Sequence, residues 1–193
     1  FRIPGFTPYI AVVLLNTITD LGHKIIIQNI VFKCYEGTEQ IALTAVVNAL
    51  ILLPFILLFT PSGFLSDRFA KNVVIKLCAA ATIPLTLLIV LCYHLGLFWP
   101  AFALTFLLAA QSAIYSPAKY AYLKELVGKE KLAGGNAIVQ SVTIVAILAG
   151  GVIYSIIFEY LLGGSALTPA NILRTIAPSG YFLVAGAVLQ TLL

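Results

Sequence analysis

The chain has 193 residues, of which 61% are hydrophobic and 9% are charged, and its formal net charge is +4. A soluble domain carries about 25% charged residues, so this composition excludes a soluble globular fold and indicates burial in a membrane. The cations lie in short segments between apolar runs, which is a topology signal rather than a nucleic-acid footprint, and no nucleic-acid partner is expected.

Apolar stretches long enough to cross a bilayer recur along the chain, since a transmembrane helix needs about 20 such residues. Residues 77–118 hold no Asp, Glu, Lys or Arg over 42 positions, enough for two crossings with a turn near Gly96 and Pro100. We predict an all-α transmembrane fold of six helices in one domain. Their ranges are about 7–32, 40–62, 74–94, 98–118, 134–158 and 176–193.

The basic residues between these spans predict the orientation of the chain. Eight of them fall on one side, namely Arg2, Arg68, Lys71, Lys76, Lys119, Lys124, Lys129 and Lys131, whereas Lys33 and Arg174 fall on the other. The positive-inside rule then places the N-terminus in the cytoplasm. Because the chain contains no Met, we expect it to be part of a longer protein.

The first predicted helix carries polar residues at helical spacing: Asn16, Asp20, His23, Lys24 and Gln28. Asp20 and Lys24 are four residues apart, so one interpretation is a structural ion pair between them. A polar stripe longer than one ion pair requires favours the other interpretation, a hydrated cavity inside a helix bundle. His23 by itself is interpreted as a hydrogen-bonded structural residue.

Two later helices carry further polar residues at helical spacing. Gln111, Ser112 and Tyr115 lie along the fourth predicted helix, and we expect them to face the same cavity as Asp20. Asn136, Gln140 and Thr143 form a stripe on the fifth, predicted to line the bundle interior. Lys119 follows Pro117 at the end of the fourth helix, where it either binds a phospholipid headgroup or snorkels to the interface. We find no metal-ligand spacing and no catalytic set, so neither a metal nor a cofactor is predicted.

The segment Gly63-Phe64-Leu65-Ser66-Asp67-Arg68-Phe69-Ala70-Lys71 follows the second predicted helix. Taken alone, it is a positively charged loop with a turn glycine. It resembles the loop Gly-x-Leu-Ala-Asp-Arg-x-Gly-Arg between the second and third helices of the major facilitator superfamily, with Ala70 and Lys71 in place of Gly and Arg. The resemblance implies the six-helix N-terminal half of a major facilitator transporter. It also implies a gate formed by Gly63, Asp67, Arg68 and Lys71, with Asp67 at a helix N-terminus of the other half.

A second resemblance covers Tyr115-Ser116-Pro117-Ala118-Lys119-Tyr120, Lys124-Glu125-Leu126, Lys131-Leu132 and Asn136, which are similar to the bacterial lysophospholipid transporters. The stretches 19–24 and 61–67 are similar to the variant fused to an acyltransferase and an acyl carrier protein ligase. The resemblance implies a bacterial inner-membrane protein that flips lysophospholipids, with lysophosphatidylethanolamine as the expected substrate, for reacylation. The implied partners are membrane lipids, the other six-helix half and a fused or associated acyltransferase.

The predicted substrate-binding residues are Asn16, Asp20, Lys24, Gln111, Tyr115, Lys119 and Asn136. In this hypothesis Asp20 meets the ammonium of the headgroup, and Lys24 or a cation of the other half meets its phosphate. A proton-coupled exporter of small solutes is an alternative, weakened because residues 101–118 contain no Arg. A membrane anchor for a fused acyltransferase is another; this portion is predicted not to be an enzyme, and the full-length protein is left open.

Overall fold

The computed structural model describes residues 3–163 and 168–193, so Arg2, counted above among the cytoplasmic cations, lies outside the described residues. The described residues form helices only, which confirms the all-α prediction. Their bounds are α1 Phe6–Cys34, α2 Gly37–Leu57, α3 Phe59–Arg68, α4 Lys71–Leu95, α5 Phe98–Leu162, α6 Pro169–Ile176 and α7 Gly180–Leu192, with a 3₁₀ turn at Ala177–Ser179.

Five helical stretches of the described chain are long and apolar enough to cross a membrane: α1, α2, α4, α5 and the stretch Pro169–Leu192. Helix α5 has 65 residues, and at 1.5 Å per residue it is roughly three times as long as a bilayer core is thick. It is broken at Gly128, where φ is 74° and ψ is 169°. With its two parts taken separately, the described chain has six apolar helical segments.

The connection predicted between the fourth and fifth spans is helical on both sides of Gly128. Its composition explains this, because Leu, Lys, Glu and Ala favour helix and no proline follows Pro117 in this stretch. The second predicted span, 40–62, is divided instead, since α2 ends at Leu57 and α3 begins at Phe59. Pro54 lies one turn before that break and has no backbone N–H to donate to the preceding turn.

Helix α1 lies in the middle of the bundle and packs against α5, α7 and α2. Its close approach to α5 and α7 depends on Gly22, because a Cβ at this position would overlap the Tyr154 ring and come within 2.9 Å of Leu183 Cδ2. Helix α2 contrasts with α1, since only Val47 and Pro54 are buried along it. The apolar core therefore forms around α1, and α2 stands at its edge.

Candidate functional site

The polar stripe of α1 faces α5, where it forms a small hydrogen-bonded cluster. The Asn16 amide donates to Asp20 Oδ2 and to Ser112 Oγ, each at 3.3 Å. The Ser112 hydroxyl donates to Asp20 Oδ2. One carboxylate oxygen thus receives two donors, one from its own helix and one from α5, which fixes the direction of the Asp20 side chain.

The cluster borders a cavity of about 250 Å³ between α1, α2 and α5. Its polar lining comes from α1 and the first part of α5, and consists of Asn16, Thr17, Asp20, Lys24, Thr105, Ser112, Tyr115, Ser116 and Lys119. Its apolar lining includes Leu21, Ile51, Phe55, Leu108, Ala109 and Ile147. One side of the cavity is therefore charged and polar, and another side is a hydrocarbon wall that includes residues of α2.

Lys119 is buried inside the bundle, with 8% of its surface exposed. Its ammonium lies 4.7 Å from the centroid of the Tyr120 ring and 5.9 Å from that of Tyr115. Its backbone carbonyl accepts a hydrogen bond of 2.9 Å from the Tyr9 hydroxyl of α1. The structure therefore places Lys119 in the cavity wall, shielded from solvent, and headgroup binding by Lys119 stays a prediction.

Asp20 and Lys24 both line the cavity, yet no ion pair joins them among the residues that the structure describes. The Lys119 ammonium lines the same cavity as the Asp20 carboxylate. The intrahelical ion pair considered from the spacing of Asp20 and Lys24 is therefore not formed. The other interpretation of the polar residues of α1, a cavity inside the helix bundle, is retained.

Two polar atoms of the cavity wall have no hydrogen-bond partner within the described parts of the chain. They are Asp20 Oδ1 and the Tyr115 hydroxyl, and both atoms are buried. Buried polar atoms nearly always have a partner, so each of these two atoms can take a further hydrogen bond. Among the described residues, the cavity wall thus holds one acceptor and one hydroxyl that are not yet engaged.

Gln111 and Asn136 are not among the residues that line this cavity. Gln111 points toward α4 and donates to the Cys78 carbonyl at 3.1 Å, because adjacent helical residues face directions about 100° apart. Asn136 lies in the part of α5 that follows the break at Gly128. The cavity-lining residue of that part is Ile147, further along the helix. Helical spacing identified the polar faces, but it could not show which neighbouring helix packs against each face.

His23 is fully buried behind the cavity and bridges three helices. Its Nε2 lies 3.0 Å from the Ala101 carbonyl, which only accepts, so Nε2 carries the proton. Its Nδ1 therefore accepts a hydrogen bond of 2.7 Å from the Tyr93 hydroxyl of α4. Thr105, a cavity-lining residue, has its hydroxyl 3.2 Å from Nε2. The interpretation of His23 as a structural residue agrees with these contacts.

The residues of the predicted gate lie where α3 ends and α4 begins. Lys71 Nζ is 3.5 Å from Glu125 Oε1 of α5, and the Arg68 guanidinium lies 5.8 and 5.9 Å from the rings of Phe64 and Phe69. Asp67 is exposed, and a Cβ at Gly63 would meet nothing within 4 Å in the described chain. The gate residues therefore share one end of the bundle, and only Lys71 forms an ion pair with another described helix.

The helices and the cavity between them define a multi-pass helical membrane protein. No family model matches the chain, and no solved structure matches it. The chain is 35% identical over 115 residues to the lysophospholipid transporter LplT of Serratia proteamaculans (strain 568), which covers 60% of the chain and 26% of that relative. It is 28% identical over 144 residues to the lysophospholipid transporter LplT of Photorhabdus laumondii subsp. laumondii, covering 72% of the chain and 33% of that relative.

The chain thus spans about a quarter to a third of the length of the curated relatives it matches. These relatives confirm, at the level of distant similarity, the resemblance to lysophospholipid transporters drawn from Tyr115–Tyr120 and the segments after it. Both are named as transporters. The fused acyltransferase has no support from them and stays a prediction.

Proposed function

We propose that this chain is the N-terminal six-helix half of a major facilitator transporter that flips lysophospholipids across the bacterial inner membrane for reacylation. One observation carries the proposal: the Asp20 carboxylate and the Lys119 ammonium line the polar side of a cavity whose other side is apolar. The two relatives named as lysophospholipid transporters give independent support. The alternating-access mechanism, the inner membrane and the cytoplasmic N-terminus belong to this proposal.

The chemistry of a lysophospholipid matches the cavity group by group. Its phosphate carries a negative charge, for which Lys119 and the free Tyr115 hydroxyl are donors. An amine of the headgroup, as in lysophosphatidylethanolamine, donates to Asp20 Oδ1, which has no other partner among the described residues. The single acyl chain requires an apolar path, and Ile51, Phe55 and Ile147 provide one along the same cavity.

The residues at the exposed end of the bundle are proposed to form contacts that change during the transport cycle. In the proposal, Asp67 contacts a helix N-terminus of the other six-helix half, and the Lys71–Glu125 pair holds α4 against α5 in one conformer. A contact made in one conformer and lost in the other biases the equilibrium between inward-open and outward-open states. This portion of the protein acts as a transporter and not as an enzyme.

The test is lipid flipping by the full-length natural protein in proteoliposomes, with lysophosphatidylethanolamine labelled in its acyl chain. Asp20→Asn and Asp20→Ala are expected to lower the initial rate by about tenfold or more, because the ammonium loses its charged acceptor. Glu130→Gln is the matched control, since Glu130 is an exposed carboxylate outside the cavity. Wild-type rates in both folded Asp20 variants would refute the proposal.

A proton-coupled exporter of small solutes is the second candidate, favoured by Asp20 Oδ1 in the cavity wall, which has no hydrogen-bond partner in residues 3–163 and 168–193. The same vesicles discriminate the two, because an imposed pH gradient drives only a proton-coupled carrier. Lipid flipping that is indifferent to the gradient supports the first candidate. Sequencing the gene beyond Leu193 tests the partners, for which we expect six further apolar spans and an acyltransferase-like region.

A further inference from the structure

The charged side chains of the cavity wall do not balance. Among the described residues that line it, Asp20 contributes one carboxylate, and Lys24 and Lys119 contribute two ammonium groups. In their ordinary ionisation states these groups leave the wall with one excess positive charge. A charge in an apolar, half-buried place is costly, so within this half an excess cation calls for a negative partner, which a bound headgroup can supply.

Lys24 is the cation of the cavity wall for which the described residues supply neither a carboxylate nor an aromatic ring. Asp20 is engaged through Oδ2 by Asn16 and Ser112, and the Lys119 ammonium lies over the rings of Tyr120 and Tyr115. Lys24 is half-buried, and within residues 3–163 and 168–193 it forms no ion pair.

The two cations lie on opposite sides of Asp20 along the bundle. Helix α1 and the first part of α5 are antiparallel, since Tyr9 contacts Lys119 whereas His23 contacts Thr105. Lys24 is one turn beyond Asp20 in the direction of His23, which is about 6 Å. Lys119 is seven residues beyond Ser112 in the direction of Tyr9, which is about 10 Å. Lys24 and Lys119 therefore offer a phosphate two binding positions at different depths in the bundle.

Resting on the proposed function, we propose that Lys24 is a second phosphate-binding position that makes this transporter prefer lysophospholipids with a net negative headgroup over zwitterionic ones. A headgroup with one phosphodiester and no amine neutralises the excess charge, whereas a zwitterion leaves it in place. Headgroup hydroxyls, as in lysophosphatidylglycerol, donate to Asp20 Oδ1 and satisfy it as an amine does. The lysophosphatidylethanolamine expected from the resemblance is then the poorer of the two substrates.

The experiment measures a ratio within each protein, so the amount of active protein cancels. The full-length protein in proteoliposomes flips acyl-labelled lysophosphatidylglycerol and lysophosphatidylethanolamine at equal, subsaturating concentrations. The wild type is expected to favour the anionic lipid, and Lys24→Gln is expected to lower that preference about tenfold, equivalent to about 1.4 kcal/mol. Lys24→Arg keeps the charge and is expected to keep the preference, as is Lys124→Gln, which removes an exposed lysine outside the cavity.

A second variant covers the case in which Lys24→Gln does not fold. Ser116→Asp adds a carboxylate to the cavity wall without removing Lys24, and it is expected to lower the preference for the anionic lipid as well. A wild type that favours the zwitterion, or an unchanged ratio in the folded Lys24→Gln protein, overturns the inference and leaves the proposed function standing. If neither lipid is flipped faster than in protein-free vesicles, the proposed function itself fails.

Discussion

Ser112 of α5 donates its hydroxyl to the carboxylate of Asp20 on α1, and this bond joins the two helices at the level of the cavity. The Asn16 amide completes the arrangement from within α1. Because both donors meet the same oxygen, Asp20 keeps its other oxygen free while its side chain is held in place. The hydrogen bonds from Ser112 and Asn16 thus orient the Asp20 carboxylate and leave one of its oxygens available to a ligand.

Removal of the Ser112 hydroxyl is expected to lower both the stability of the protein and its flipping rate, because Asp20 loses one hydrogen bond. Ser112→Ala deletes one donor to a buried carboxylate, a loss of about 1–3 kcal/mol, so we expect lower thermal stability in detergent and a flipping rate reduced several-fold. Ser112→Thr retains the hydroxyl and is expected to recover most of the rate. If the alanine variant flips lipid like the wild type, Asp20 does not depend on this bond.

The Tyr115 hydroxyl gives a prediction of a different kind, because it is buried and has no partner among the described residues. Tyr115→Phe removes no hydrogen bond of the described chain, so the melting temperature is expected to stay the same or rise slightly. Lysophospholipid binding is expected to weaken about fivefold, since the phosphate loses a donor. Binding titrations and thermal melts of one preparation measure both effects, and a lower melting temperature with intact binding would contradict the prediction.

The His23 network predicts a loss of stability without a change of substrate. Tyr93→Phe leaves His23 Nδ1 buried and without its donor, at a cost of about 1–3 kcal/mol. We expect a clearly lower melting temperature and an unchanged ratio between anionic and zwitterionic lysophospholipids. Tyr160→Phe is the control, because Tyr160 is 85% exposed. A shift of the lipid ratio in Tyr93→Phe would show that the network does more than hold helices together.

Close packing at Gly22 predicts one of the most damaging small substitutions in the chain. Gly22→Ala places a methyl group against Tyr154 and Leu183, so α1 must move away from α5 or α7. We expect little folded protein after membrane extraction, measured by size-exclusion chromatography. Gly151→Ala is the matched control on α5, since a Cβ there would meet nothing within 4 Å. Equal yields of the two variants would rule out this role for Gly22.

Some features of the fold follow from the sequence because they depend on composition alone. Charge-free apolar runs predict membrane helices whatever their partners, and the polar residues Asn16, Asp20 and Lys24 predict a cavity because lipid cannot solvate them. The partner of Asp20 was harder to predict. The spacing of Asp20 and Lys24 allows an ion pair, but Ser112 and Asn16 donate to one oxygen of the carboxylate instead.

Gln111 and Asn136 lie outside the cavity for a common physical reason, which is that helical periodicity identifies a polar face but not the helix that packs against it. Gln111 and Ser112 are adjacent, yet one contacts α4 and the other α1. The apolar wall was also missed, because Phe55 and Ile147 are ordinary lipid-facing residues in sequence terms. Only the packing of α2 and the second part of α5 around α1 brings them to the cavity.

The break between α2 and α3 has a mechanical consequence. Phe55 lines the cavity, Pro54 precedes it, and the helix is interrupted at Leu58, within one turn. Bending of this crossing is therefore expected to concentrate at the level of the cavity, and not to spread along the helix. A change of angle at this break would move the segment that ends at Asp67 and Arg68 relative to α2, and we expect it to alter the width of the cavity beside Phe55.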